Sequence, residues 1–175
     1  MATAPAATIS EDRARIADQE RQLVFPRFDA HTAWSLGNTL RSLAETRKAP
    51  VVIDIRRFGD PNQQLFFTAL PGTTPDNARW VVRKSKVVER FHRSSYAAGL
   101  YLQEQGVTFE AKYSLPDADY ATHGGAFPIS VAGAGIVGSV TVSGLPQRAD
   151  HELVIEGICT ELNLDYEAIR LPVRG

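Results

Sequence analysis

The chain has 175 residues, 43% hydrophobic and 22% charged, with a formal net charge of -1; this suits one globular domain with its own core and supplies no global positive field for nucleic acid or an anionic membrane. A single cysteine, Cys159, excludes an internal disulfide and any multi-cysteine zinc or iron–sulfur cage within one chain, so a reducing cytoplasm is the expected location. The opening MATAPAATIS lacks a basic leader and an apolar core, and no later run approaches the roughly 18 apolar residues of a membrane span, so neither secretion nor a membrane partner is expected.

Residues 1–20 read as a polar helical extension, 21–170 as a single domain and 171–175 as a tail. ISEDRARIADQERQL has few apolar anchors and predicts a peripheral helix lying on the body or on a neighbouring subunit. LVFPRF is a short extended segment. Asp29 then caps a helix whose apolar stripe is Ala33, Leu36, Leu40, Leu43 and Ala44, with Arg47 and Lys48 suiting its negative end and Pro50 closing it.

VVIDI at 51–55 and LFFTAL at 65–70 flank RRFGDPNQQ, whose Gly-Asp-Pro-Asn is turn chemistry, and predict an antiparallel strand pair. Thr74, Pro75 and Asp76 mark a helix start, and Trp80, Val81, Val87, Val88 and Phe91 recur at helical spacing. Ser94 or Ser95 restarts a second helix with Ala97, Leu100 and Tyr101, and Gly106 ends it.

The glycine-rich GGAFPISVAGAGIVGSVTVSG predicts a β-hairpin. Ile129 and Val131 alternate before Gly133; after Gly135, Ile136, Gly138, Val140 and Val142 share one face and Val137, Ser139 and Thr141 the other. Gly133 and Gly135 supply positive φ in the turn, and Gly138 marks a bulge or a close approach. Pro146 opens a last helix with His151, Val154, Ile155, Ile158 and Leu162 on one side. The order helix, strand, strand, helix, strand, strand, helix gives an α+β fold, an antiparallel β-sheet flanked by helices.

GGAFPI, the pair GIVGSVTVSGLPQRADHELV, VVIDI and RKSKVVERFHRSS, spread across roughly residues 20–165, resemble the HbpS/GlcG-like (heme-degrading domain, DUF336-type) family, and within it a branch of small proteins. The resemblance implies a profilin-like or PAS-like sandwich that assembles into homo-oligomers, with heme binding or degradation attributed to some members. Fold similarity does not by itself carry activity.

GAGIVG has the spacing of Gly-x-Gly-x-x-Gly at Gly133, Gly135 and Gly138, but β-alternation continues through Val142 where a dinucleotide site needs a helix N-terminus, so a turn is the reading. His123, in YATHGGAFP, is the preferred heme-iron ligand, since two glycines after a loop histidine leave room for a flat cofactor; the plain alternative is a surface histidine with no ligand. Asp150 and His151 point about 100° apart on a helix, so His151 is assigned to the core and not to a proton relay. Gln147 and Arg148 in the first turn can hold an anion, or simply be solvated.

Arg79, Arg83, Lys84, Lys86, Arg90 and Arg93 make one helix locally cationic, suited to a carboxylate or to heme propionates, or to an ordinary solvated face; RNA lacks an aromatic stacking motif. Cys159 reads as a small core residue. No Gly-x-Ser-x-Gly organises a hydrolase. On the heme reading, Phe127 and Val131 offer apolar contact, His123 ligates iron, and Lys112 or Arg148 pairs with a propionate. The competing reading is a non-catalytic oligomeric scaffold or protein-interaction module.

Overall fold

The computed structural model describes residues 6–173. The N-terminal extension before residue 6 and the last two residues of the tail therefore lie outside the described residues.

The elements run α1 (Ala6–Gln22), β1 (Val24–Phe25), α2 (Ala30–Thr46), β2 (Val52–Arg57), β3 (Gln63–Ala69), α3 (Pro75–Phe91), α4 (Ser95–Gln105), α5 (Phe109–Tyr113), β4 (Ala126–Val131), β5 (Gly135–Ser143), α6 (Gln147–Leu162) and α7 (Tyr166–Ile169). The caps that the sequence predicts are formed. The Asp29 carboxylate accepts from Thr32 N at 2.9 Å, Asn77 Oδ1 accepts from Thr74 N at 2.8 Å, and Ser94 Oγ accepts from Ala97 N at 3.1 Å, each satisfying a backbone donor that a helix end leaves without a partner. Arg47 serves as the C-cap residue of α2 and also pairs with Glu156 of α6 at 2.6 Å.

One sheet carries the order β1-β4-β5-β2-β3. All neighbours are antiparallel except β1 and β4, which pair in parallel through Val24 with Ser130 and Phe25 with Val131. The sequence pattern does not predict that parallel edge. The β4–β5 hairpin turns at Gly133 and Gly135, with φ of 75° and 80°. Its ladder shifts by one residue: Gly138 faces Ile129 while Ile136 faces Ser130. Val137 is thus the extra residue of a bulge, and the strict alternation expected from Ile136 onward holds only after it.

The two sheet faces differ in chemistry. Ile53, Ile55, Phe127, Ile129, Val140 and Val142 pack with Leu36 and Leu40 of α2 and with Val154, Ile155 and Ile158 of α6 as the main core. The opposite face is crossed by α3 and carries Asp54, Ser139 and Thr141, all buried; Ser85 Oγ of α3 meets Ser139 Oγ at 2.8 Å. Polar groups are admitted there because each finds a partner; the exception is Thr141, whose Oγ1 has none among the described residues.

α1 lies on the body. Ile9 and Ile16 join Tyr96, Ala97, Leu100 and Leu171 in a second small core, and the few apolar residues in this helix suffice because polar contacts complete the docking. Gln19 is fully buried, donating to Ile169 O at 3.1 Å and meeting His151 Nε2 at 2.8 Å.

Candidate functional site

Three elements converge where β5 passes into α6. α3 brings Asn77, Trp80 and Lys84; the loop before β4 brings His123; and the β5–α6 junction brings Ser143, Gly144, Leu145, Gln147 and Asp150. Together they line a cavity of about 230 Å³. A larger open groove of about 640 Å³ runs along α2 beside Trp34, but its lining has no titratable side chain. The smaller cavity carries titratable side chains from all three elements: Lys84, His123 and Asp150.

At its wall Lys84 Nζ donates to Asp150 Oδ2 at 2.8 Å and to Val142 O at 3.1 Å. Asp150 also accepts from Leu145 N at 2.9 Å and Gly144 N at 3.4 Å. Lys84 is 3% exposed and Asp150 1%. Burial pulls the Lys84 ammonium below its usual range and pushes the Asp150 carboxyl above its own, while each partner's charge opposes the shift. Lys84 sits on the buried stripe of α3 with Val81 and Val88, and that spacing is the sequence signal for it.

His123 is exposed at the rim, its ring 5.0 Å from that of Trp80 in an edge-to-face contact. Partial desolvation lowers its pKa, and the positive charges of Lys84 and Arg83 lower it further. Its imidazole is therefore neutral near neutral pH, with a lone pair free for a metal or a hydrogen bond. A second cavity of about 320 Å³, lined by Arg83, Thr108, Phe109, Tyr120 and Thr122 among others, shares His123 as a wall. Arg83 stacks over Trp80 at 4.6 Å and donates to Asp117 O at 2.5 Å, so it organises the rim.

The glycines after His123 do not provide open space. A Cβ on Gly124 would lie 2.0 Å from Gln147 O, and one on Gly125 would lie 2.2 Å from Val142 O and 2.9 Å from Lys84 Nζ. Gly125 also has φ of 127°. These residues let the protein's own backbone close over the Lys84–Asp150 pair, and the room expected there for a flat cofactor is filled.

The other residues singled out in the sequence are dispersed. Phe127 is 1% exposed in the main core. Val131 packs half-buried at the hairpin end of β4. Lys112 is exposed on α5, with Nζ 5.5 Å from the Tyr101 ring centroid. Arg148 is paired with Asp12 of α1 and donates to Pro172 O. Neither of the two cavities that His123 lines includes any of these four among its lining residues. His151 is fully buried, its pKa lowered to about 3 by desolvation and by Arg148. Cys159 is buried, its thiol pushed up to about 11 by desolvation and by Glu152, Glu156 and Asp165. Both are core residues. Among the described residues no group of three or more His, Cys, Asp or Glu side chains is placed to hold a metal ion, and no helix is long and apolar enough to cross a membrane.

Comparison with known proteins bears on this geometry. A UPF0303 protein of Acidobacterium capsulatum is 59% identical over 165 residues, covering 94% of this chain and 98% of its own. The crystal structure of Ybr137w protein superposes with a TM-score of 0.79 at 29% identity, covering 86% of this chain and 87% of that one. The crystal structure of a PduOC:heme complex shares the fold, with a TM-score of 0.65 at 15% identity over 79% of this chain and 97% of that one. The family model described as "Haem degrading protein HbpS-like" matches residues 28–159, and the chain belongs to this HbpS-like family.

Proposed function

We propose that this protein is a homo-oligomeric, cytoplasmic small-ligand-binding protein, and that it presents the His123 imidazole as an iron donor to heme at the mouth of the Trp80–Lys84–Asp150 cavity. The observation that carries this reading is the exposed imidazole of His123, edge-to-face with Trp80 at the rim of a cavity with a buried ion pair in its wall. Membership of the HbpS-like family supports it, as does the likeness in fold to a protein crystallised with heme.

The residues present fit ligation from the rim and not enclosure of the macrocycle. The adjoining cavities of about 230 and 320 Å³ lie below or at the lower end of the roughly 300–1,000 Å³ of drug-sized pockets, and backbone covers Gly124 and Gly125. One imidazole is offered, which matches a proximal histidine. Heme iron, when bound, supplies electron-transfer and small-molecule ligation chemistry; the protein supplies the donor, the Trp80 edge and the flanking positive charge.

Heme titration of the purified protein tests this. A saturable Soret shift that His123→Ala abolishes is the expected result. A spectrum identical to free heme contradicts the reading and favours the non-catalytic scaffold. Light scattering checks self-association, and a strict monomer at all concentrations contradicts it.

A further inference from the structure

The strand β3 ends the sheet, and among the described residues no strand pairs with its outer side. Leu70 N donates to Val51 O at 3.0 Å, so by antiparallel alternation Phe66 and Thr68 turn their backbone groups to β2 while Phe67 and Ala69 turn theirs away. The features that usually blunt such an edge are missing: QQLFFTA has no charged residue and no proline. The one register shift leaves Leu65 unpaired, and the stretch 66–69 after it is regular. Apolar surface flanks this edge on both sheet faces. Phe67 lies opposite Asp54 on the face that α3 crosses, but α3 packs on β5, β4 and β2, and Phe67 is left 47% exposed. On the other face Trp34 of α2 meets the Phe66 ring at 5.8 Å and is still 65% exposed.

From this open edge between two exposed aromatic side chains, we propose that β3 pairs antiparallel with β3 of a second copy about a two-fold axis at Thr68, joining the two sheets into one and covering Phe67 and Trp34. The proposal rests on the self-association proposed above, but not on heme, and gives that association its interface. An axis at Thr68 sets Phe67 against the partner's Ala69, so the outward N–H and C=O groups of each copy meet those of the other. The Phe67 ring then lies diagonal to its own image, within aromatic reach. α2 packs on β2 and β3 alike, which puts its axis over their boundary, about 5 Å from the two-fold axis for a strand spacing of about 4.8 Å. The two copies of α2 therefore stand about 10 Å apart, the spacing of packed helices. Arg41 donates to Thr68 Oγ1 at 2.9 Å and pairs with Glu45 at 2.9 Å, so this side of α2 meets its image without net like charge. A lone strand from another protein would satisfy the backbone of β3 and leave Trp34 bare; the image of α2 covers it.

Amide hydrogen exchange of the purified native protein reads the interface directly. The Phe67 and Ala69 N–H groups face solvent in a single copy, and in the paired edge they are expected to exchange about a hundredfold or more slower than in an unstructured chain. Ala69→Pro removes an N–H that β2 does not use and leaves the β2 ladder intact, and Phe67→Glu places like charges across the axis. Sedimentation equilibrium is expected to show the particle mass falling by about half or more in each variant, with the far-UV circular dichroism unchanged. Free exchange at both amides in a native protein that self-associates overturns this interface, leaves self-association standing and opens the edge to a strand of another protein. A strict monomer overturns both. Folded variants that keep the native mass also overturn the interface, and none of these outcomes bears on heme binding at His123.

Discussion

Lys84 Nζ and the Asp150 carboxylate meet at 2.8 Å, almost wholly shut off from solvent, and fasten α3 to the start of α6 across 66 residues of sequence. Removing one partner of such a pair leaves an uncompensated buried charge. Lys84→Met is therefore expected to cost about 3–5 kcal/mol of stability. Adding Asp150→Asn recovers part of that loss, since the neutral amide no longer needs a counter-charge. Urea unfolding of the single and double variants measures both.

Gly125 is the packing counterpart of that pair. Its φ is 127°, and a methyl group added there would meet Val142 O at 2.2 Å, a backbone atom that cannot easily yield. Gly125→Ala is expected to cost about 3 kcal/mol or more, from backbone strain and overpacking together. Gly133→Asn, in open space at the hairpin turn, is expected to cost about 1 kcal/mol at most, because Asn tolerates the left-handed region. Thermal melts of the two variants give the comparison.

His151 makes stability depend on pH. Its folded pKa of about 3 lies below the ordinary 6.5, so the unfolded chain takes up a proton that the folded one refuses. This contribution is fully present above pH 6.5 and is lost as pH falls from there toward 3, by about 1.4 kcal/mol per pH unit. Gln19, Arg148, Tyr96 and Phe127 surround the ring. Urea melts at pH 7 and pH 5 are expected to show a drop that is smaller in His151→Gln by about 1.4 kcal/mol per unit below the ordinary histidine pKa.

Arg148 holds α1 to the body through Asp12. Arg148→Ala is expected to lower stability by about 2 kcal/mol while leaving heme affinity within twofold. A large loss of heme affinity with unchanged stability would instead assign Arg148 to a propionate. Parallel melts and heme titrations of this variant decide it.

Local chemistry is legible in the sequence wherever neighbours carry it. Asp29, Thr74 and Ser94 declare their caps, Gly133 and Gly135 their turn, and His151 its place on an apolar stripe. The site is harder to read because its members come from distant segments. Lys84 is one of several basic residues on a single helix, and only its register with Val81 and Val88 marks it as buried. Nothing near Asp150 in sequence reveals that its partner is Lys84. Gly124 and Gly125 read as empty space because glycine looks alike whether a ligand or the chain's own backbone approaches it. The β1–β4 pairing rests on two residues, too few for alternation to be visible.

The two tryptophans allow the ligand site to be located directly. The Trp80 ring lies 5.0 Å from that of His123, whereas Trp34 is on α2 against the opposite face of the sheet. With one equivalent of ferric heme, paramagnetic broadening of the Trp80 indole N–H resonance while that of Trp34 stays sharp is the predicted result. Broadening of Trp34 with Trp80 unaffected would contradict a heme site at His123.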